Sequence, residues 1–121
     1  MKRSMFQCYV KKSDEAVPFY QKAFGAEIVS SYPHPDGTYY HCELDVYGQI
    51  FAVSEAAEES TTGNTMQFCL HFGEGSEEAL QRAYAVLKEG ATFNYPLRPC
   101  DFSTLMTDLV DRYGVRWCLF I

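Results

Sequence analysis

The chain has 121 residues, of which 47% are hydrophobic and 21% charged, the composition of one globular domain rather than of a disordered segment. A net charge of −6 and the lack of any Lys/Arg-rich run exclude a basic nucleic-acid footprint. No apolar run approaches the ~18 residues of a membrane span, and Met1-Lys2-Arg3-Ser4-Met5-Phe6 is not followed by an apolar stretch of signal-peptide length. The expectation is therefore a protein with neither nucleic acid nor membrane as its partner.

Five cysteines (Cys8, Cys42, Cys69, Cys100 and Cys118) are odd in number, widely spread and form no CxxC, so neither a zinc site nor a thioredoxin-like pair is indicated. A reduced, cytoplasmic protein is the expectation that follows. Aromatic residues reach 16%, which raises the question of what the rings surround.

In chain order, Met5 to Val10 predicts a short strand. Ser13-Asp14 supplies capping oxygens for a helix whose apolar positions are Ala16, Val17, Phe19, Tyr20, Ala23 and Phe24, with Gly25 as its stop. Pro18 has no N–H to donate, so it fits only in or near the first turn, and a regular helix is expected from about there onward. Ala26 to Tyr32, Thr38 to Tyr47 and Gln49 to Glu55 predict strands, separated by turns at Pro33-His34-Pro35-Asp36-Gly37 and Tyr47-Gly48.

The small, polar stretch Ala56 to Asn64 reads as a linker, and the order of elements then recurs. Thr65 to Phe72 predicts a strand. Ser76 caps a helix with apolar positions Ala79, Leu80, Ala83, Tyr84 and Leu87, and Gly90 stops it. Strands follow at Ala91 to Tyr95, Ser103 to Val110 and Val115 to Ile121.

Three matches in order support an internal repeat. Cys8 matches Cys69, Gly25-Ala26 matches Gly90-Ala91, and Asp45-Val46-Tyr47-Gly48 matches Asp111-Arg112-Tyr113-Gly114. The insertion Gly73-Glu74-Gly75-Ser76 accounts for the growth in spacing after the first match. The expected organisation is one α+β domain of two β-α-β-β-β modules: module 1 over residues 1–57, a linker over 58–64 and module 2 over 65–121. Each module covers one sheet face with a helix, and two open faces turned toward each other would form a cleft with the helices outside. On the strand from Tyr39 to Val46, Tyr40, Cys42, Leu44 and Val46 form an apolar face, and Tyr39, His41, Glu43 and Asp45 a polar one.

This plan resembles the vicinal oxygen chelate superfamily, which holds glyoxalase I, extradiol dioxygenases and bleomycin-resistance proteins, and within it PhnB-like proteins. The resemblance is carried by Glu15-Ala16-Val17-Pro18-Phe19-Tyr20-Gln21-Lys22-Ala23-Phe24-Gly25, by Tyr40-His41-Cys42-Glu43-Leu44 and by Asp111-Arg112-Tyr113-Gly114-Val115-Arg116-Trp117. It implies a glyoxalase-like fold, a curled mixed sheet, a homodimer and a small-molecule ligand. Metal-dependent members hold a divalent ion on the first and last strands of each module, positions that fall here at Met5, Gln67, Ala52 and Cys118. Hard cations require oxygen ligands and zinc requires His, Cys or carboxylate sets, so no metal and no cofactor are expected.

Among the chemistry-bearing residues, His41 and Glu43 lie two apart on one strand and share a face. They fit a hydrogen-bonded pair on a polar sheet face, and alternatively a general base beside a carboxylate that raises its pKa. Arg116 points away from Trp117; it could hold a carboxylate or phosphonate bidentately, or pair with Asp111 or Asp108. Cys118 shares its face and could be a small buried hydrophobe or a thiol tuned by Arg116. His71, ending an apolar strand, and His34, between two prolines, read as an edge residue and a loop residue. Gln7, His41, Glu43, Gln67, Arg116 and Cys118 are thus the candidate ligand-binding residues, with His41 and Glu43 as catalytic candidates. No phosphate loop, GxGxxG, HExxH or Ser-His-Asp arrangement is present.

Three functions remain open on this basis. The first is metal-free binding of a small organic molecule in the cleft between modules. The second is a metal-dependent or His/Glu-based enzyme of lyase, isomerase or dioxygenase type. The third is sequestration of a cationic drug, as in bleomycin-resistance proteins, with which the negative charge is compatible.

Overall fold

A computed structural model describes residues 1–121. The chain divides into two compact units, Met1–Thr61 and Thr62–Ile121. The first contains β1 (Phe6–Val10), α1 (Ser13–Phe24), β2 (Glu27–Pro33), β3 (Tyr39–Val46) and β4 (Gln49–Glu55). The second contains β5 (Phe68–His71), α2 (Glu77–Leu87), β6 (Thr92–Cys100), β7 (Ser103–Val110) and β8 (Arg116–Phe120). The α+β, two-module architecture expected from the repeat is present. Its strands form two separate four-stranded sheets, ordered β1-β4-β3-β2 and β5-β8-β7-β6, each mixed and neither closed.

In each unit the last strand is an inner one. β4 runs parallel to β1 and antiparallel to β3, and β8 runs parallel to β5 and antiparallel to β7. The strand between the first and third is hydrogen-bonded on both edges, which is why Phe51, Ala52, Val53 and Ser54 are all buried. Against one face of the first sheet α1 lays Ala16, Val17, Tyr20, Ala23 and Phe24. Tyr20 meets Phe51 edge-on, with ring centroids 5.1 Å apart, and Leu44, Val46 and Val53 complete the apolar layer. In the second unit Leu80, Ala83, Val86 and Leu87 of α2 are buried, together with Trp117, Leu109 and Leu119. Val86 takes a place the periodicity had assigned to Tyr84, which is only half-buried.

Several local expectations give way to tertiary context. Pro18 sits in the second turn of a continuous α1. The bond it cannot donate would have ended on the Asp14 carbonyl, and both residues are exposed, so water can take its place. Neither Ser13 nor Ser76 caps its helix through the side chain. At the start of α1 the cap is long-range: Glu55 accepts from the Lys12 and Ser13 N–H groups at 3.1 and 2.9 Å and from the Ser13 hydroxyl at 2.7 Å. A carboxylate there faces the positive end of the helix. Burial raises the affinity of Glu55 for its proton, but the Ser13 and Lys12 donors outweigh it and hold the carboxyl below its usual range.

Two bulges interrupt the β2–β3 pairing, with Val29 extra on β2 and Tyr40 extra on β3. The second ends the alternation, so Tyr40 is exposed instead of joining Cys42, Leu44 and Val46 beneath α1. The Cys8–Cys69 match is displaced by one residue. Cys8 pairs with Val53 and Cys69 with Cys118, so Phe6 corresponds to Phe68, Gln7 to Cys69 and Cys8 to Leu70. β6 extends past Tyr95 to Cys100, through Pro96 and Pro99, because it is an edge strand with register irregularities that spare those prolines a ladder bond.

The Asp-x-Tyr-Gly repeat also diverges. Val46 and Gln49 flank a two-residue turn in which Tyr47 and Gly48 both have positive φ, and the Asp45 carboxylate accepts from the Gly48 N–H at 2.6 Å. Asp111 instead anchors a longer loop from within the core. It accepts from the Tyr113 and Val115 N–H groups at 2.8 and 3.1 Å and from the Trp117 indole at 2.9 Å. Replacing Asp111 by Ala leaves the buried indole N–H and a buried loop amide without this acceptor, so a loss of about 2–4 kcal/mol is expected in urea denaturation. Asp45→Ala, at an exposed turn, should cost under about 1 kcal/mol by the same measurement.

Candidate functional site

The face of each sheet opposite its helix carries the polar side chains, because inner-strand register leaves no other place for them. On β3, His41 and Glu43 share that face, as their spacing requires, and His41 Nε2 lies 2.9 Å from Glu43 Oε2. A third group completes the cluster. Arg3, from the segment before β1, donates from Nη1 to Glu43 Oε1 at 2.8 Å and from Nη2 to Oε2 at 2.9 Å, a bidentate pair. Glu43 is 5% exposed. Arg3 first and His41 second pull its carboxyl down to about 2 against the opposing effect of burial. It is therefore a permanent anion near neutral pH and an electrostatic anchor, not a proton acceptor.

Around this cluster stand rings and amides. The Tyr32 ring centroid is 6.3 Å from that of His41, and Tyr32 is exposed on the edge strand. Gln7 donates through Nε2 to the Ser54 hydroxyl and to its neighbour's carbonyl, Cys8 O, both at 3.0 Å. Opposite Glu43 on β4 is Ala52, fully buried.

The second unit repeats this arrangement with different residues. Asp108 stands opposite Cys118 as Glu43 stands opposite Ala52. Arg116 donates to Asp108 from Nε at 3.1 Å and from Nη2 at 2.8 Å, and from Nη1 to the Asn64 carbonyl at 2.6 Å. Gln67 and Asn94 add longer amide contacts to Asp108 Oδ1, at 3.4 and 3.3 Å. Arg116, then Asn94 and Gln67, hold the Asp108 carboxyl below its usual range despite burial. Of the two roles open to Arg116, the structure shows the ion pair with Asp108, and this occupies the edge that would grip a ligand carboxylate. Cys118 is buried, and desolvation, followed by the neighbouring Cys69 thiol, pushes it up to about 12.

The six candidate residues therefore fall into two clusters. Gln7, His41 and Glu43 lie in the first unit, and Gln67, Arg116 and Cys118 in the second. His34 meets Tyr40 edge-on at 5.8 Å, and His71 stacks on Phe120 at 4.5 Å, so both pack against rings away from the carboxylates. Sequence reasoning missed Arg3 and the correspondence of Glu43 with Asp108. The second had a signal: the spacing that relates Gly25-Ala26 to Gly90-Ala91 also relates these two acids. The first had none, because a contact across 40 positions leaves no local pattern.

Paired β-α-β-β-β units whose last strand lies inside the sheet, with the polar face opposite the helix, define a known class of small α+β proteins. A family model for the Glyoxalase/Bleomycin resistance protein/Dioxygenase superfamily matches residues 4–119, and the chain belongs to that superfamily. No curated protein matches its sequence. Among solved structures, a PhnB protein from Bacillus cereus is 26% identical, with a TM-score of 0.83 over 99% of this chain and 98% of the other. PA1353 from Pseudomonas aeruginosa is 18% identical, with a TM-score of 0.79 over 98% and 97%. The fosfomycin resistance protein FosX from Listeria monocytogenes, whose structures include a complex with Mn(II) and a sulfate ion, is similar at 18% identity and a TM-score of 0.68, over 98% of this chain and 87% of the other. The likeness to these last two is one of fold.

A divalent ion such as that of FosX does not fit the residues here. Ala52 has no donor and is sealed from solvent, and Met5 offers a thioether. The Gln67 amide is spent on Asp108, and Cys118 is held as a thiol. No group of three or more His, Cys, Asp or Glu side chains is placed to hold a metal. We derive no chemistry through a metal.

The low pKa of Glu43 makes a pH prediction with a definite sign. The folded carboxyl binds its proton less tightly, at about 2, than the ordinary value of 4.5, so the unfolded chain takes up protons first. The stabilisation is complete above about pH 4.5 and is lost as pH falls toward 2. Urea unfolding across that window should show a steep loss of stability in the wild type and a flatter one in Arg3→Ala. Parallel profiles would mean that Arg3 does not hold the carboxylate.

Proposed function

We propose that this chain is a PhnB-like member of its superfamily that works without a metal and binds a small organic molecule, neutral or anionic, on the polar face of its first sheet. The single observation that carries this reading is the donor set Met5, Gln67, Ala52 and Cys118 at the positions where metal-dependent members hold their ion. Glu43 is engaged by Arg3 and His41 and does not itself carry a proton, so any acid–base chemistry on this face would fall to His41. What that face offers a ligand is the Tyr32 ring, the imidazole of His41 and the half-exposed guanidinium of Arg3. A planar molecule with a polar or anionic substituent matches that set. By family resemblance we also propose a homodimer, to be checked by sedimentation equilibrium.

Thermal-shift screening of acidic, neutral, cationic and aromatic compounds tests the binding role. A ligand at one hundred times its dissociation constant adds about 2.7 kcal/mol of stability, a shift that is readily measured. Acidic or neutral aromatic compounds should raise the melting temperature, and His41→Ala and Tyr32→Ala should each weaken that response by about tenfold or less. A response to cationic compounds alone would favour drug sequestration, and no response at all would remove the binding role. Elemental analysis of protein purified without chelator should find substoichiometric metal. A stoichiometric ion with chelator-sensitive turnover would establish the enzyme reading instead.

A further inference from the structure

On the open face of the second sheet two thiols stand side by side. β5 and β8 pair in parallel with Cys69 and Cys118 as direct partners. Partners on adjacent strands share a face at a separation of about 4.8 Å. That distance lies inside the ~4.4–6.8 Å between Cα atoms that a disulfide spans. The corresponding pair in the first unit is Gln7 and Ala52, so the thiols are particular to this sheet and not a product of the repeat.

The two thiols differ in access. Cys69 is exposed, and its Sγ donates to Gln67 Oε1 at 3.5 Å. Cys118 is 8% exposed and remains protonated near neutral pH, since burial and then Cys69 push it up to about 12. A reagent from solution therefore meets Cys69 first and finds Cys118 behind it. Cys100, half-buried on β6, is the other thiol bearing on Cys118, but its backbone partner is Ser103 on β7.

We propose that Cys69 and Cys118 form a redox-active dithiol which a low-molecular-weight disulfide converts into a cross-strand disulfide. The Cys69 thiolate, its proton released to solvent, attacks one sulfur of the reagent, forming a mixed disulfide and expelling one thiolate. The Cys118 sulfur then attacks the Cys69 sulfur and expels the second thiolate, and the Cys118 proton passes to that leaving group. The two cysteines lose two electrons, and the reagent is reduced to two thiols. The new bond fastens β5 to β8 beside Asp108 and Arg116, and it removes the S–H that Cys69 donates to Gln67.

Full-length protein treated with glutathione disulfide, quenched with N-ethylmaleimide and mapped without reduction tests the proposal. Two of the five thiols should disappear. One linked peptide should join Cys69 to Cys118, and dithiothreitol should restore both thiols. Cys118→Ser should stop at the mixed disulfide on Cys69, Cys69→Ser should give no linked peptide, and Cys100→Ser should form the link as wild type does. A link from Cys69 to Cys100, a mixed disulfide that persists in the wild type, or five intact thiols would each overturn the assignment.

Discussion

The structure rests on one constraint, that the last strand of each unit is hydrogen-bonded on both edges. An inner strand has no exposed backbone, so its side chains must divide between a helix-covered face and an opposite face, with parity fixed by the largest residue. In β4 that residue is Phe51, seated on Tyr20, and in β8 it is Trp117, tied by its indole to Asp111. Once these rings lie toward the helices, Ala52 and Cys118 must point the other way, as must Glu43 and Asp108 across the ladder. The polar faces are thus a consequence of where two aromatic residues pack.

Two similar carboxylates in similar places are neutralised by different routes. Glu43 draws its arginine from the segment before β1, whereas Asp108 draws it from the inner strand itself. The first route leaves the guanidinium half-exposed beside an imidazole and a phenol. The second buries more of it and adds the Asn64 carbonyl, so that little donor capacity faces outward. Two units of one plan thus differ: one face leaves donors exposed, and on the other the charges satisfy each other.

Much of this is legible in the sequence. The module plan, the helices and the shared face of His41 and Glu43 follow from periodicity, since period-2 and period-3.6 patterns survive in half-buried elements. Failures cluster where the pattern is broken by one residue or completed from far away. Tyr40 was assigned to the helix-covered face because a bulge has no sequence mark of its own. Ser13 looked like a cap, yet the capping oxygens come from Glu55, and the serine hydroxyl instead donates to Glu55 and accepts from the Tyr39 N–H at 2.8 Å. Arg3 carries no local motif, because its contact with Glu43 spans 40 positions. The misses at Ser13 and Arg3 concern polar contacts between distant positions, where local propensity carries no information.

The same pairing bears on what the overall acidity means for a ligand. A charge of −6 suggests attraction for cations, but it is a property of the whole surface. Of the carboxylates on the open faces, Glu43 and Asp108 have arginine partners, and Glu43 has an imidazole as well. The Arg3–Glu43–His41 cluster is neutral when His41 is neutral and positive when it is protonated. A cation approaching it finds a carboxylate whose lone pairs are already directed at Arg3 and His41, and would have to displace one of them. An anion or a neutral ring meets no such cost, since the unused N–H groups of Arg3 and the ring of Tyr32 already face solvent. Local pairing, not net charge alone, thus sets the charge that the Arg3–Glu43–His41 cluster presents to solvent.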